Sequence, residues 1–178
     1  RTEALKLLIE DTVLHQTVWN KLYKRSCLEG VLFPVGKTNE DEFWTWQVFA
    51  RAQRVAVTEV SLYNYTQRSA SIMGSAYSLK RLDALEAKLE RHRYISLNIP
   101  HLADLSRTNL YGSCIYAAMM TLKFLKKEEK QEAVRRIDEY RKTARADGRI
   151  LDANLGIRLS KLSFWGTCLL KTITGRGF

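Results

Sequence analysis

The sequence is poor in the residues that mark linkers and disulfide scaffolds. It has only 2 prolines and 9 glycines in 178 residues, so no segment has the composition of a flexible linker or a low-complexity region. The 3 cysteines, Cys27, Cys114 and Cys168, are odd in number and far apart. A disulfide framework and a C-x-x-C metal site are therefore not expected, and reduced thiols are the simplest interpretation.

Long apolar runs and several common catalytic motifs are also missing. The longest uncharged stretch, residues 108–122, covers 15 positions, whereas a membrane-spanning helix needs about 20. There is no Gly-rich phosphate loop, no H-E-x-x-H and no G-x-S-x-G motif, and the 3 histidines lack the spacing of metal ligands. The chain begins with Arg1 and no signal peptide follows, so we expect a fragment or a processed product.

The charge is strongly basic and unevenly distributed. The net charge is +10, with 29 Lys and Arg against 19 Asp and Glu. Residues 1–75 hold 9 basic and 8 acidic residues, a net of +1, and residues 76–178 hold 20 and 11, a net of +9. This shift predicts two parts with a boundary near residue 75. The field of the second part would attract phosphates, nucleic acid or anionic lipid.

The hydrophobic patterns predict an α/β first part and an all-helical second part, helix-rich overall. A 3.6-residue period indicates an amphipathic helix at residues 2–16, and the acids from Glu40 open a helix that runs to about Ala52. Alternation and β-branched residues indicate short strands at 17–25, 54–60 and 62–67. From Tyr77 onward only helices are expected: around Leu82–Leu89, then Leu110–Leu125, 126–145 and 154–173. Residues 1–75 are too few to close an α/β domain, so we expect preceding residues to complete it.

Three consecutive acids, Glu40, Asp41 and Glu42, permit two interpretations. Asn39 followed three residues later by Glu42 is close to a capping box, and acids in a first turn complement the helix dipole. Alternatively, one carboxylate is a general base that faces a cleft. The two interpretations are compatible if Asn39 and Glu42 cap the helix while Asp41 faces the cleft.

The basic residues also have two interpretations. A lone arginine on a loop, Arg68, is ordinarily solvated, although its planar guanidinium suits diphosphate oxygens. Residues 126–145 carry acid–base pairs four apart, which is typical of a solvated helix face. Nucleic acid is not an expected partner, because aromatics are scarce among these basic residues. The stretch 157–178 mixes Leu, Phe and Trp with Lys and Arg, which suits either an interfacial membrane helix or ordinary packing.

Several motifs follow one another in an order that resembles a known family. They are Asn20-Lys21-Leu22-Tyr23, Phe33-Pro34, Gly36, Glu40-Asp41, Tyr63 with Tyr65, Arg68, and Ser71-Ile72. Over about residues 1–90 the chain resembles the later part of bacterial family 2 glycosyltransferases with the GT-A fold. A lone Glu-Asp would be weak evidence, whereas this succession of motifs at family-like spacing is specific.

The resemblance implies an inverting hexosyltransferase that moves a sugar from a nucleotide-diphosphate sugar to a saccharide or lipid-linked acceptor hydroxyl. It implies that Asp41 is the general base and that Glu40 orients the acceptor or tunes Asp41. Arg68 would meet the leaving diphosphate, although family members often have a second arginine where Thr66 stands here. Trp19, Asn20 and Lys21 would lie on the acceptor side.

What the family has upstream is missing from this chain. Its nucleotide-binding half carries an Asp-x-Asp motif for a divalent cation, Mg²⁺ or Mn²⁺, and no Asp-x-Asp occurs here. We therefore expect an inactive C-terminal portion of an enzyme of surface polysaccharide or capsule synthesis. That enzyme would be cytoplasmic, at the inner face of the cell membrane. The alternative is a non-catalytic helical adaptor that binds a partner or the membrane surface, and the residues upstream of Arg1 would distinguish the two.

Overall fold

A computed structural model describes residues 1–66 and 77–175, and these residues form seven α-helices and no β-strand. The prediction of a helix-rich chain is confirmed. The helices are α1 (Thr2–Glu10), α2 (Glu40–Arg51), α3 (Asp83–Asn98), α4 (Ala103–Phe124), α5 (Lys127–Ala146), α6 (Leu155–Leu162) and α7 (Phe164–Thr174). The first helix is shorter than predicted, because the chain leaves it at Asp11 with a left-handed φ of 54°.

The predicted strands, and with them the α/β first part, are not seen in the described residues. Residues 17–25 fold back on themselves instead, because Tyr23 donates a hydrogen bond to the Val18 carbonyl at 3.2 Å and a single 3-10 turn begins at Arg25. Residues 54–66 are irregular and open to solvent, with Leu62 80% exposed. A strand requires a hydrogen-bonded neighbour, and the described part of the chain supplies none for this segment.

Helix α4 is the centre of the helical part. Its inward side chains, Leu110, Tyr111, Cys114 and Ile115, are completely buried, and α3, α5 and α7 pack around it. The sequence of α4 is apolar on most sides of the helix because α4 has neighbours on several sides. With 22 residues it is the longest helix described. Within residues 1–66 and 77–175, however, no helix is both long and apolar enough to cross a bilayer.

The last predicted helix, 154–173, is in fact two helices. Ser163 has an extended backbone, with φ −145° and ψ 103°, and separates α6 from α7. Both helices pack against α4, so the chain must turn between them. No proline or glycine marks this turn in the sequence, and the periodic pattern of leucines runs through it.

The first two helices rest on the helical part rather than standing apart from it. A buried cluster joins Leu5, Leu8 and Ile9 of α1 and Phe49 of α2 to Ile95 of α3. A smaller cluster packs Val31 against Trp44 and Val48 of α2. The predicted boundary near residue 75 lies outside the described residues.

Candidate active site

The loop before α2 is tied to α3 by polar contacts. Lys37 Nζ donates to Glu86 at 2.6 Å, and the Thr38 backbone N–H donates to Asp83 Oδ2 at 3.1 Å. On the other side, Trp44 Nε1 donates to the Val31 carbonyl at 3.1 Å. The first turn of α2 is therefore fixed by the bonds of the preceding loop to α3 and by the bond of Trp44 to Val31.

The predicted capping box between Asn39 and Glu42 is wrong. Asn39 is left-handed, with φ 56°, and its side chain makes no capping hydrogen bond. An N-cap residue normally has an extended backbone that turns its side chain toward the helix amides, and the left-handed conformation prevents this. The Glu42 backbone N–H donates instead to Asp41 Oδ1 at 2.9 Å and to the Asn39 carbonyl at 3.0 Å.

Glu42 belongs to a buried network that the sequence analysis missed. Its two carboxylate oxygens lie 3.5 Å from Lys88 Nζ and 3.6 Å from Arg91 Nη1. Arg91 is 1% exposed and donates to Asn109 Oδ1 at 2.8 Å, and Asn109 Nδ2 donates to the Ile9 carbonyl at 2.8 Å. These contacts join α1, α2, α3 and α4. The position of Arg91 beside the apolar stripe of α3 is the sequence signal that could have indicated this network.

Asp41 is half-buried at the start of α2. Burial raises the pKa of the Asp41 carboxyl, repulsion from Glu42 and Glu40 acts in the same direction, and the hydrogen bond from the Glu42 N–H opposes it. Glu40 is exposed. Burial lowers the pKa of Lys21, and the charge of Asp41 opposes this shift. A carboxylate with a raised pKa, held at a helix start, has the properties of a general base.

The segment that carries Trp19, Asn20 and Lys21 is held against α2. Thr45, which is fully buried in α2, donates to the Gln16 carbonyl at 2.5 Å. Asn20 Oδ1 accepts from Lys21 Nζ at 2.7 Å and from Thr17 Oγ1 at 3.1 Å. The residues predicted for the acceptor side therefore follow directly on a segment that is bonded to α2.

Three half-exposed aromatic rings form a cluster on this segment. The Trp19 ring centroid lies 4.7 Å from that of Tyr63, with planes tilted by 30°, and 4.7 Å from that of Tyr65, with planes at 14°. Trp19 is 44% exposed, and each tyrosine is 51% exposed. These stacked rings connect residues 62–66 to the loop that carries Lys21, and they present an apolar surface with polar edges.

A cleft of about 530 Å³ opens beside the first turn of α2, between α3 and α4. It has apolar, aromatic and basic sides. Its lining residues are Asn39, Glu42, Tyr77, Arg81, Ala84, Leu85, Lys88, Ser113, Tyr116, Ala117, Met120 and Phe124. Glu42 lines this cleft, and Asp41, which was predicted to face a cleft, is not among its lining residues. A cleft of this size can hold a small ligand or one end of a larger one.

Two further predictions concern groups that the described residues do not supply. Arg68, predicted to meet the diphosphate, and the Ser71-Ile72 motif lie outside the described residues. Within residues 1–66 and 77–175, no group of three or more His, Cys, Asp or Glu side chains could hold a metal ion. The described residues therefore do not fit a divalent cation.

Comparisons with known proteins return no match: no protein-family model, no curated protein and no solved structure is similar to this chain at a significant level. The resemblance to family 2 glycosyltransferases thus rests on the motifs alone, and the function must be argued from the site.

Proposed function

We propose that this chain is the acceptor-side part of an inverting glycosyltransferase, with Asp41 as its general base. The observation that carries the proposal is the half-buried Asp41 carboxyl in the first turn of α2, whose pKa is raised by burial and whose charge acts on Lys21. A base in this position takes the proton of an acceptor hydroxyl. The hydroxyl oxygen then bonds to the anomeric carbon of the donor sugar as the bond to the nucleoside diphosphate breaks.

The other residues have supporting roles in this proposal. The Lys21 ammonium limits the repulsion that the carboxylates of the site exert on one another, and exposed Glu40 contacts the acceptor. Trp19 and Asn20 face the acceptor sugar with an apolar ring and an amide. Arg68 meets the diphosphate, and the divalent cation that neutralises it comes with a nucleotide-binding half outside this chain. The location proposed for the intact enzyme is the inner face of the cell membrane, where a lipid-linked acceptor is accessible.

The test is Asp41→Asn in the natural protein that contains this chain together with the residues upstream of Arg1. The amide cannot accept the proton at neutral pH, so transfer of radiolabelled sugar should fall by a factor of about 10² to 10⁴. Donor binding and the circular dichroism spectrum should be unchanged. Asp152→Asn, on an exposed loop before α6, is the matched control and should keep full activity. Transfer by Asp41→Asn within about threefold of wild type, a free-energy change well under 1 kcal/mol, would exclude Asp41 as the base.

A helical adaptor without catalytic activity is the second candidate. It is favoured by the purely helical character of the described residues. The two candidates differ in donor binding: a nucleotide-diphosphate sugar should bind the intact protein if it is a transferase, and should not bind an adaptor. Calorimetry with the donor sugar nucleotides of the cell decides between them.

A further inference from the structure

We infer that the outward side of α6 and α7 is a docking surface for an anionic lipid membrane. The surface consists of six exposed aliphatic residues, namely Leu155, Leu159, Leu162, Leu169, Leu170 and Ile173, and is called here the α6–α7 surface. The inference develops the membrane location proposed above and does not depend on sugar transfer.

The spacing of these residues places them on one side of each helix. In α6, Leu155, Leu159 and Leu162 are four and three residues apart, so they share a face, while Gly156, Ile157 and Ser160 are buried. Leu162 is 88% exposed and Leu155 is 66% exposed. The outward face of α6 thus exposes three leucines together with Arg158.

Helix α7 repeats this arrangement. Its inward residues are Phe164, Thr167 and Cys168. Leu169, Leu170 and Ile173 lie on the opposite side and are 50%, 56% and 74% exposed. A helix that is apolar on both sides normally has a partner on both sides, and α4 covers only one side of α7.

The charges near this surface indicate what covers it. From Ala153 to Phe178 the sequence contains no Asp or Glu but contains Arg158, Lys161, Lys171 and Arg176. At the start of α6, the single carboxylate Asp152 has a lowered pKa because of Lys161, with Arg158 and Arg149 adding to the effect. Asp152 is thus one acid beside three cations, so the surface at the start of α6 has a net positive charge. An apolar helix face flanked by basic residues matches the anionic headgroups and acyl chains of a bilayer surface.

Other helices and other partners fit less well. Helix α5 has an ordinary solvated face, on which Arg135 pairs with Glu132 and Glu139. A second copy of the chain docked face to face would bring the basic edges of both copies together, which costs free energy. Helix α7 has 11 residues, a length of about 16 Å, so it would lie along the interface rather than cross the membrane.

The test is co-sedimentation of the purified full-length protein with lipid vesicles. Vesicles of phosphatidylcholine with about one third phosphatidylglycerol should retain the protein at low salt. Raising the salt to about 0.5 M should lower the partition coefficient about tenfold. The variant Leu169→Ser/Leu170→Ser/Ile173→Ser should lower it about a hundredfold, because three half-exposed aliphatic chains no longer enter the bilayer. The variant Arg158→Gln should lower the partition coefficient about fivefold.

The control is Leu97→Ser, which removes a leucine that is 82% exposed from α3. It should bind the vesicles as the wild type does. The circular dichroism spectra of all variants should be those of the wild type, since every changed residue except Arg158 is an exposed aliphatic side chain and Arg158 is itself exposed. Three results would overturn the inference: no retention of the wild type at low salt, equal retention of the triple variant, or a wild-type dimer in sedimentation velocity that the triple variant dissociates.

Discussion

Replacing Arg91 with methionine should destabilise the protein by about 4 kcal/mol. Arg91 is 1% exposed, and its guanidinium is the link between Glu42 and Asn109. Removing one partner of a buried ion pair costs about 3 to 5 kcal/mol, because the other charge is left uncompensated. Here the cost lies at the lower end, since the Glu42 side chain is 17% exposed and keeps Lys88 at 3.5 Å. The side-chain oxygen Oδ1 of Asn109 also loses its hydrogen-bond donor, which adds about 1 kcal/mol to the cost.

Urea denaturation followed by far-UV circular dichroism measures this change. The midpoint should fall with an unchanged slope, which shows that the native state and not the denatured state was altered. Arg93→Met is the matched control, because Arg93 is exposed on the same helix, and it should change stability by less than about 0.5 kcal/mol.

The double variant Arg91→Met/Glu42→Gln isolates the pair itself. Because both charges are removed together, it should be more stable than the sum of the two single changes predicts, by at least about 1 kcal/mol. The reasoning is refuted if Arg91→Met costs less than about 0.5 kcal/mol, or if the two changes are additive.

Two other predictions concern backbone strain and pH. Gly148→Ala should cost more than about 2 kcal/mol in thermal unfolding. Gly148 has φ +139°, and an added Cβ would lie 3.0 Å from Arg107 Cζ. Gly30 has φ +68° but open space around it, so alanine there should cost only about 1 kcal/mol. Equal costs at the two glycines would contradict this. The native state binds the Asp41 proton more tightly than the unfolded state does, so the stability of the wild type relative to Asp41→Asn should fall as the pH rises from about 4 through the raised pKa. A flat or rising difference in urea melts across this range would show that the pKa of Asp41 is not raised.

Local patterns in the sequence predicted the helices well. The acids Glu40 to Glu42 correctly marked the start of α2, and the periods of apolar residues located α3, α4 and α5. These signals are local, because a helix makes its hydrogen bonds within itself. The strands failed for the opposite reason: Val57 and Leu62 have the composition of a strand, but a strand forms only against a neighbour. The described residues supply no such neighbour for them.

The contacts made at the candidate site were not predictable from the sequence. The motifs pointed to Asp41 and to Trp19–Lys21; in the structure Asp41 lies in the first turn of α2 and its charge acts on Lys21. Nothing near Glu42 in sequence predicts that it contacts Arg91, because 49 positions separate them. The cleft beside Asn39 is likewise built by side chains of α3 and α4, whose arrangement depends on tertiary packing.

The buried network gives Glu42 a role that differs from capping and that bears on Asp41. Its ion pairs with Lys88 and Arg91 hold the first turn of α2 against α3, and its negative charge raises the pKa of the adjacent Asp41 carboxyl. One residue therefore fixes the position of the proposed base and also keeps it more basic than an exposed aspartate. A base on a rigid helix, beside acceptor contacts on an irregular segment, combines precise geometry with adaptable binding. Glu42→Gln should therefore weaken the base, because it removes a negative charge that raises the pKa of Asp41.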